Sequence, residues 1–229
     1  MSNRQRHTLN QKVYQQLRRK LLRGDLAPDS QLDERQLAEE LGVSRTPLRE
    51  AISQLVKEGI VEHRPYRGNF VRTFTAKQVN DLYEVRKALE SLAMRLAIRK
   101  LSQEHLEEIR TILDQVQEAL DRGDITAYTE ADRRFHQAIL QITGNETLIE
   151  SLNRLAAQIQ MVRILANRDP EVVERTAQER PRILAALEAR DADTAARLME
   201  EHIDGVRRSI VAQLEALEQK EHELAREWT

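Results

Sequence analysis

Apolar positions recur at spacings of three and four along most of this chain, and short polar breaks divide the pattern into separate helices. Leu9, Val13, Leu17, Leu21 and Leu22 mark a first helix, with Gly24 placed to end it. After a loop through Pro28, Asp33 and Gln36 stand at the spacing of a capping box, so a second helix is expected there with Arg35 exposed in its first turn. Leu37, Ala38 and Leu41 give that helix an inward face, and Leu48, Ala51, Ile52, Leu55 and Val56 do the same for a third. Gly42 supplies backbone freedom for the corner between them. Ser44 is expected to cap the third helix through its side-chain oxygen, and Pro47 is tolerated in the first turn because amides there have no intrahelical partner to lose. Arg45 and Arg49, four apart, share one face at the start of that helix.

The helical period then gives way to two short runs of strand character, Ile60 to His63 and Asn69 to Arg72, joined through Pro65, Tyr66, Arg67 and Gly68. Thr75 and Gln78 repeat the capping-box spacing. From there the spacing predicts helices over about 75–100, 102–121, 124–143, 145–168, 170–190 and 191–226, with breaks at Gly123, at Gly144 and at Asn167 to Pro170. Two domains follow, residues 1–74 and 75–229. The fold class is mainly α: a winged helix-turn-helix with a small β-hairpin, then an all-α antiparallel bundle. Gly205 falls inside the last helix, which implies a bend or a close neighbour there. His222 and Trp228 lie in a charged tail and are expected to be exposed.

Charge sharpens this division. Residues 1–74 carry 14 Lys and Arg against 9 Asp and Glu, and the remainder 22 against 29, so a basic part precedes an acidic one. A basic first part suits a polyanion, which an acidic remainder repels. The paired arginines then sit where a recognition helix meets base edges, and an Arg reads O6 and N7 of guanine in bidentate fashion. The 229 residues contain no cysteine, which excludes disulfides and thiolate metal sites. No apolar run approaches the roughly 18 residues of a membrane span, so a cytoplasmic protein without membrane association is expected.

Several runs carry a family resemblance. Gly24 to Pro28, Leu32 to Ala38, Leu41 to Ala51, Glu58-Gly59 and Arg67-Gly68 closely resemble the winged-helix domain of GntR-type bacterial transcription regulators. Asp29 departs from a Gly usual in that family. Glu84 to Glu90, Asp132 to His136, Gly144-Asn145, Ile183 to Leu187 and Met199 to Ile203 resemble the FCD effector domain of the FadR subfamily. The resemblance implies a homodimer on a palindromic double-stranded DNA operator, modulated by a small organic acid, with repression the commoner mode. It implies that Arg35, Arg45 and Arg49 read or clamp bases, that Ser44 and Thr46 bind phosphates, and that Arg67 and Gly68 form a wing tip entering the minor groove.

In the second domain, Asp132 and His136 project from one helix face and can grip one cation, or simply form a satisfied pair inside a bundle. By the resemblance, metal-binding FCD members use an Asp and three His, which match here at Asp132, His136 and His202 for a divalent Zn, Ni or Mn ion. The fourth ligand position is occupied by Arg180. Either three ligands still hold a metal and Arg180 binds the far end of a carboxylate, or Arg180 replaces the metal and pairs with Asp132 or an anionic effector. Arg86 matches an Arg that faces the effector pocket, and Arg163 is a further effector candidate. Two other functions compete with regulation: a metal-dependent enzyme built on Asp132, His136 and His202, and an architectural DNA protein without an effector.

Overall fold

The computed structural model describes the backbone of residues 3–227 and the side chains of residues 9–219; His222 and Trp228, expected to be exposed, fall outside the described side chains. The chain divides into two compact units, Met1–Thr73 and Phe74–Thr229. Phe74 belongs to the second unit because its side chain is buried in that unit's core.

The first unit holds α1 (Asn3–Arg23), α2 (Glu34–Leu41), α3 (Arg45–Lys57), β1 (Val61–Arg64) and β2 (Gly68–Val71). Val13, Leu17 and Leu21 of α1 are buried where α1 packs on α3, which buries Leu48, Ile52 and Leu55, and Leu37 is buried on α2, which also packs on α3; these are the inward positions of the helical spacing. Asp33 caps α2 by accepting the amides of Arg35 and Gln36, which also holds its carboxyl below the usual range. At the corner, Gly42 adopts the left-handed conformation (φ +64°), and the Val43 and Gly42 amides return to the Ala38 and Glu39 carbonyls, closing α2 in a Schellman motif.

Ser44 corrects an expectation. It occupies the N-cap position of α3 but makes no side-chain capping bond. Pro47 stands at the third helical position and has no N–H to give, which removes one of the two amides a capping oxygen uses.

β1 and β2 pair antiparallel from Val61 opposite Val71 to Arg64 opposite Gly68. The segment before α2 joins them as a third rung: the Val71 amide donates to the Ser30 carbonyl and the Leu32 amide to that of Asn69. Asp29 has φ +62°, which explains why Gly suits that position, and its carboxylate accepts from Arg64 Nη2 at 2.5 Å. The residue replacing Gly therefore ties the loop to the hairpin.

The second unit is all-helical: α4 (Ala76–Ala97), a 3-10 turn (Ile98–Lys100), α5 (Gln103–Asp121), α6 (Ile125–Ile142), α7 (Glu146–Ala166), α8 (Pro170–Glu188) and α9 (Ala192–Glu227). Each begins within two residues of its predicted start. Thr75 and Gln78 form the reciprocal capping box, and Ser102, Asp124, Asn145 and Asp169 cap the four helices after α4. α4 packs most extensively on α9, and α6, α7 and α8 close the bundle around them. Arg175 lies in van der Waals contact with the point where a side chain on Gly205 would begin, 3.5 Å from its Nε, so a close neighbour is present at that glycine.

Candidate functional site

The first unit presents a connected polar face. Arg35, Ser44, Arg45, Thr46 and Arg49 are all exposed, and Arg35, Ser44 and Arg45 line one shallow cleft at the α2–α3 corner. Arg49 Nε donates to Glu34 at 2.7 Å and Arg35 Nε to Glu39 at 3.3 Å, both in solvent, where such pairs are weak and exchange readily for other acceptors. Because it makes no capping bond, the Ser44 hydroxyl is available to an outside acceptor. At the hairpin tip, Arg67 is exposed and Tyr66 fully so, with its backbone at φ +62°. Gly68 is required by the chain itself: its φ is +99°, and an added Cβ would approach Gln31 Nε2 to 3.1 Å. Gln31 Nε2 donates to the Arg67 carbonyl at 2.7 Å and so braces the tip.

The second unit buries a charged cluster. α6 supplies Tyr128, Asp132 and His136, one turn apart on a single face; α4 supplies Tyr83, Arg86 and Glu90; α7, α8 and α9 supply Arg163, Arg180 and His202. All except the half-buried Glu179 beside His202 are buried. Arg180 clamps Asp132 Oδ1 through Nε at 3.0 Å and Nη2 at 2.5 Å, and its Nη1 donates to the Tyr128 hydroxyl at 2.9 Å. The other oxygen, Oδ2, lies 2.5 Å from Arg163 Nε. That contact is an ion pair without hydrogen-bond alignment, because Arg163 Nε has no partner in line with its N–H. Arg163 Nη1 donates to Gln160 at 2.7 Å.

A second pair lies alongside. Arg86 Nε donates to Glu90 Oε1 at 2.6 Å, its Nη2 reaches His136 Nε2 at 3.2 Å, and His136 Nδ1 contacts Glu90 Oε2. A proton on Nδ1 and a lone pair on Nε2 satisfy both histidine contacts at once. The Arg86–Glu90 pair is buried. His202 Nδ1 meets Glu179 at 2.7 Å, and its ring centre is 5.4 Å from that of His136.

Burial opposes every charge here, and the pairs decide the outcome. Burial alone would raise the Asp132 and Glu90 carboxyls, but Arg180 and Arg163 hold the first, and Arg86 and His136 the second, below the usual carboxylate range. Arg86 and Arg180 are likewise raised despite burial by their carboxylate partners. Arg163 goes the other way: desolvation pushes it down and Asp132 does not fully offset the cost. His202 is lowered to about 4, mainly by burial against the opposing pull of Glu179, and is neutral at pH 7.

Beside the cluster lies a cavity of about 70 Å³ whose polar end is Glu90, His136 and Arg163 and whose walls include Ala93, Ile139, Leu152, Ile159 and Met199.

Residues 9–71 match the family described as bacterial regulatory proteins, gntR family, and residues 81–205 match the FCD domain. The chain belongs to the gntR family. The HTH-type transcriptional repressor RspR of Escherichia coli (strain K12) is 28% identical over 202 residues, 88% of this chain and 89% of that protein. The Probable D-xylose utilization operon transcriptional repressor of Paenarthrobacter nicotinovorans is 30% identical over 183 residues, 80% of each. Among solved structures, E. coli McbR/YncC superposes with a TM-score of 0.77 at 26% identity, covering 90% of this chain and 97% of that one. This gntR-family chain is a DNA-binding transcription regulator with the FadR-type architecture and is not an enzyme.

The donor set can now be tested against a metal. Asp132, His136 and His202 do converge, with ligand atoms all within 4.8 Å of one another. They do not fit an ion as arranged. Both Asp132 oxygens face guanidinium groups, and Arg86 stands 3.2 Å from the His136 nitrogen a metal would need. A divalent ion about 4 Å from one guanidinium meets roughly 8 kcal/mol of repulsion at an effective dielectric of about 20, and here there are three. Of the two readings of this site, the arrangement present in this gntR-family chain is the one in which Arg180 pairs with Asp132.

Sequence reasoning missed Tyr128 and Glu179 as parts of this cluster. Tyr128 carried a signal, since it precedes Asp132 by one helical turn on the same face. Glu179 carried none, because its partner comes from another helix.

Proposed function

We propose that this protein is a repressor that binds a palindromic operator as a homodimer in the cytoplasm and is modulated by a small organic acid bound in its FCD domain. The observation that carries the effector part is the buried charge count: Arg86, Arg163 and Arg180 face two fully buried carboxylates, Asp132 and Glu90. An unmatched buried guanidinium is expensive, and a ligand carboxylate beside it removes that cost. Two of the relatives are named repressors, which supports that direction of control. An architectural role would leave the buried cluster and its cavity without a use.

On DNA, Arg45 and Arg49 read base edges from the start of α3, Arg35 clamps beside them, Ser44 and Thr46 hold phosphates, and Arg67 with Gly68 presents the hairpin tip to the minor groove. Two copies place their α3 helices in successive major grooves about 34 Å apart. Effector binding shifts operator affinity to the extent that the acid prefers one arrangement of the dimer.

Arg49→Ala tests the reading face. Loss of a bidentate base contact should weaken operator binding by roughly 1–3 kcal/mol and broaden base preference at one position of each half-site. Fluorescence anisotropy on a set of single-base operator variants measures both. Unchanged affinity and unchanged preference would remove Arg49 from the recognition face.

A further inference from the structure

We infer that the effector is a short aliphatic monocarboxylate, its carboxylate on Arg163 and its alkyl part in the adjoining cavity, bound without a metal ion. The inference rests on the effector reading above and narrows it to one class of acid.

Charge sets the number of carboxylates. Arg180 is matched by Asp132 through two hydrogen bonds, and Arg86 by Glu90. Arg163 shares an acid that Arg180 already holds, and its own contact with that acid is not aligned for a hydrogen bond. One negative charge balances the fully buried set; a second would have no unmatched buried guanidinium to meet, since Arg86 and Arg180 already hold Glu90 and Asp132. Glu90 does not repel the first, because its two oxygens are engaged by Arg86 and His136.

Shape and polarity set the rest of the molecule. Apart from Arg163, His136 and Glu90 at one end and Arg133 and Gln137 at the rim, the lining is aliphatic. A polyhydroxylated acid would bury hydroxyl groups against Ile139, Leu152, Ile159 and Met199 with no partners for them. A water-sized group needs ~10–15 Å³ of such space, so the cavity of about 70 Å³ holds about five or six non-hydrogen atoms, the size of butyrate. The guanidinium groups around Asp132 and His136 exclude the cation that would otherwise bridge an acid to this site.

Calorimetric titration of the full-length, chelator-treated protein with sodium butyrate, and in parallel with gluconate and citrate, tests this. Butyrate should bind at least tenfold more tightly than either, with no change on adding zinc or nickel. Arg163→Gln should weaken it at least tenfold. Because Arg163 is buried and its loss can impair folding, Ala156→Leu, on the half-buried wall, provides the second variant and should weaken butyrate at least tenfold by filling the cavity. Arg163-dependent binding of gluconate or citrate with no response to butyrate would overturn the short-acid inference while leaving the effector reading intact. A requirement for added divalent metal, or butyrate binding indifferent to both variants, would overturn the metal-free Arg163 site. No binding by any of the acids would remove the inference and count against the effector reading as well.

Discussion

At the scale of single residues, the second unit is governed by how it compensates buried charge. Asp132 is usable as an anchor only because two guanidinium groups face it, and Arg180 is tolerated at 2% exposure only because Asp132 and Tyr128 receive its N–H groups. His202 shows the opposite solution: it stays neutral. Its folded pKa of about 4 lies below the ordinary value of 6.5, so the unfolded chain takes up a proton that the folded one refuses. The resulting stability is fully present above pH 6.5 and is lost as the pH falls toward 4. The difference amounts to about 3 kcal/mol across that window. Urea denaturation at pH 7 and pH 4.5 should show a clear loss for the wild type and a smaller one for His202→Asn. An equal pH dependence in the two proteins would show that His202 does not carry it. Asp29 makes a related point in the first unit, since an acid in a left-handed position is repaid by its bond to Arg64.

Among the elements, the turns and caps bear the specificity. The α2–α3 corner depends on Gly42 holding φ +64° so that two amides can turn back onto α2. Nothing lies within 4 Å of a Cβ built there, so Gly42→Ala should cost only the backbone strain. That strain is about 1–2 kcal/mol. Gly42→Asn should cost less, because Asn enters the left-handed region more easily. Chemical denaturation of the two variants measures the difference, and an Ala variant as stable as the wild type would mean the corner rearranges. α3 follows another rule: Pro47 removes one of the two amides a cap would use, and Ser44 stays unengaged at the exposed start of α3. Arg190 works as a remote cap, its guanidinium donating to the Ile98 and Leu101 carbonyls at the end of the 3-10 turn after α4.

For the molecule as a whole, the proposed homodimer needs a self-complementary face, and α4 offers one. Val85 and Leu92 are exposed on it at 49% and 42%, with the half-buried Leu89 and Leu96 beside them. Asp81 and Glu84 stand toward the start of this stripe, Arg95 and Arg99 toward its end. Two such helices packed antiparallel about a two-fold axis between Leu89 and Leu92 set Val85 of each beside Leu96 of the other and bring opposite charges together at both ends. Val85→Glu with Leu92→Glu should convert the protein to a monomer by sedimentation velocity and lower operator affinity. A dimer that survives both changes would locate the interface elsewhere. No helix among the described residues is long and apolar enough to cross a membrane.

The sequence alone determined the order and limits of the helices, because spacing of apolar residues, capping residues and glycines are local signals that each element carries within itself. The match of Thr75 with Gln78, and of Gly24, Gly123 and Gly144 with helix ends, shows how far that reaches. The candidate recognition face was legible for the same reason, since Arg45 and Arg49 lie within one helix. What the local pattern did not contain was the state of the buried acid. Asp132, Arg163, Arg180 and His202 come from four helices, and whether three ligands hold an ion or an arginine takes its place depends on distances between elements. Only the tertiary packing set Arg180 against Asp132, opened a small aliphatic cavity beside Arg163, and left one guanidinium short of a carboxylate. Long-range electrostatics in a low-dielectric interior is decided by which charges meet, and no periodicity along the chain records that.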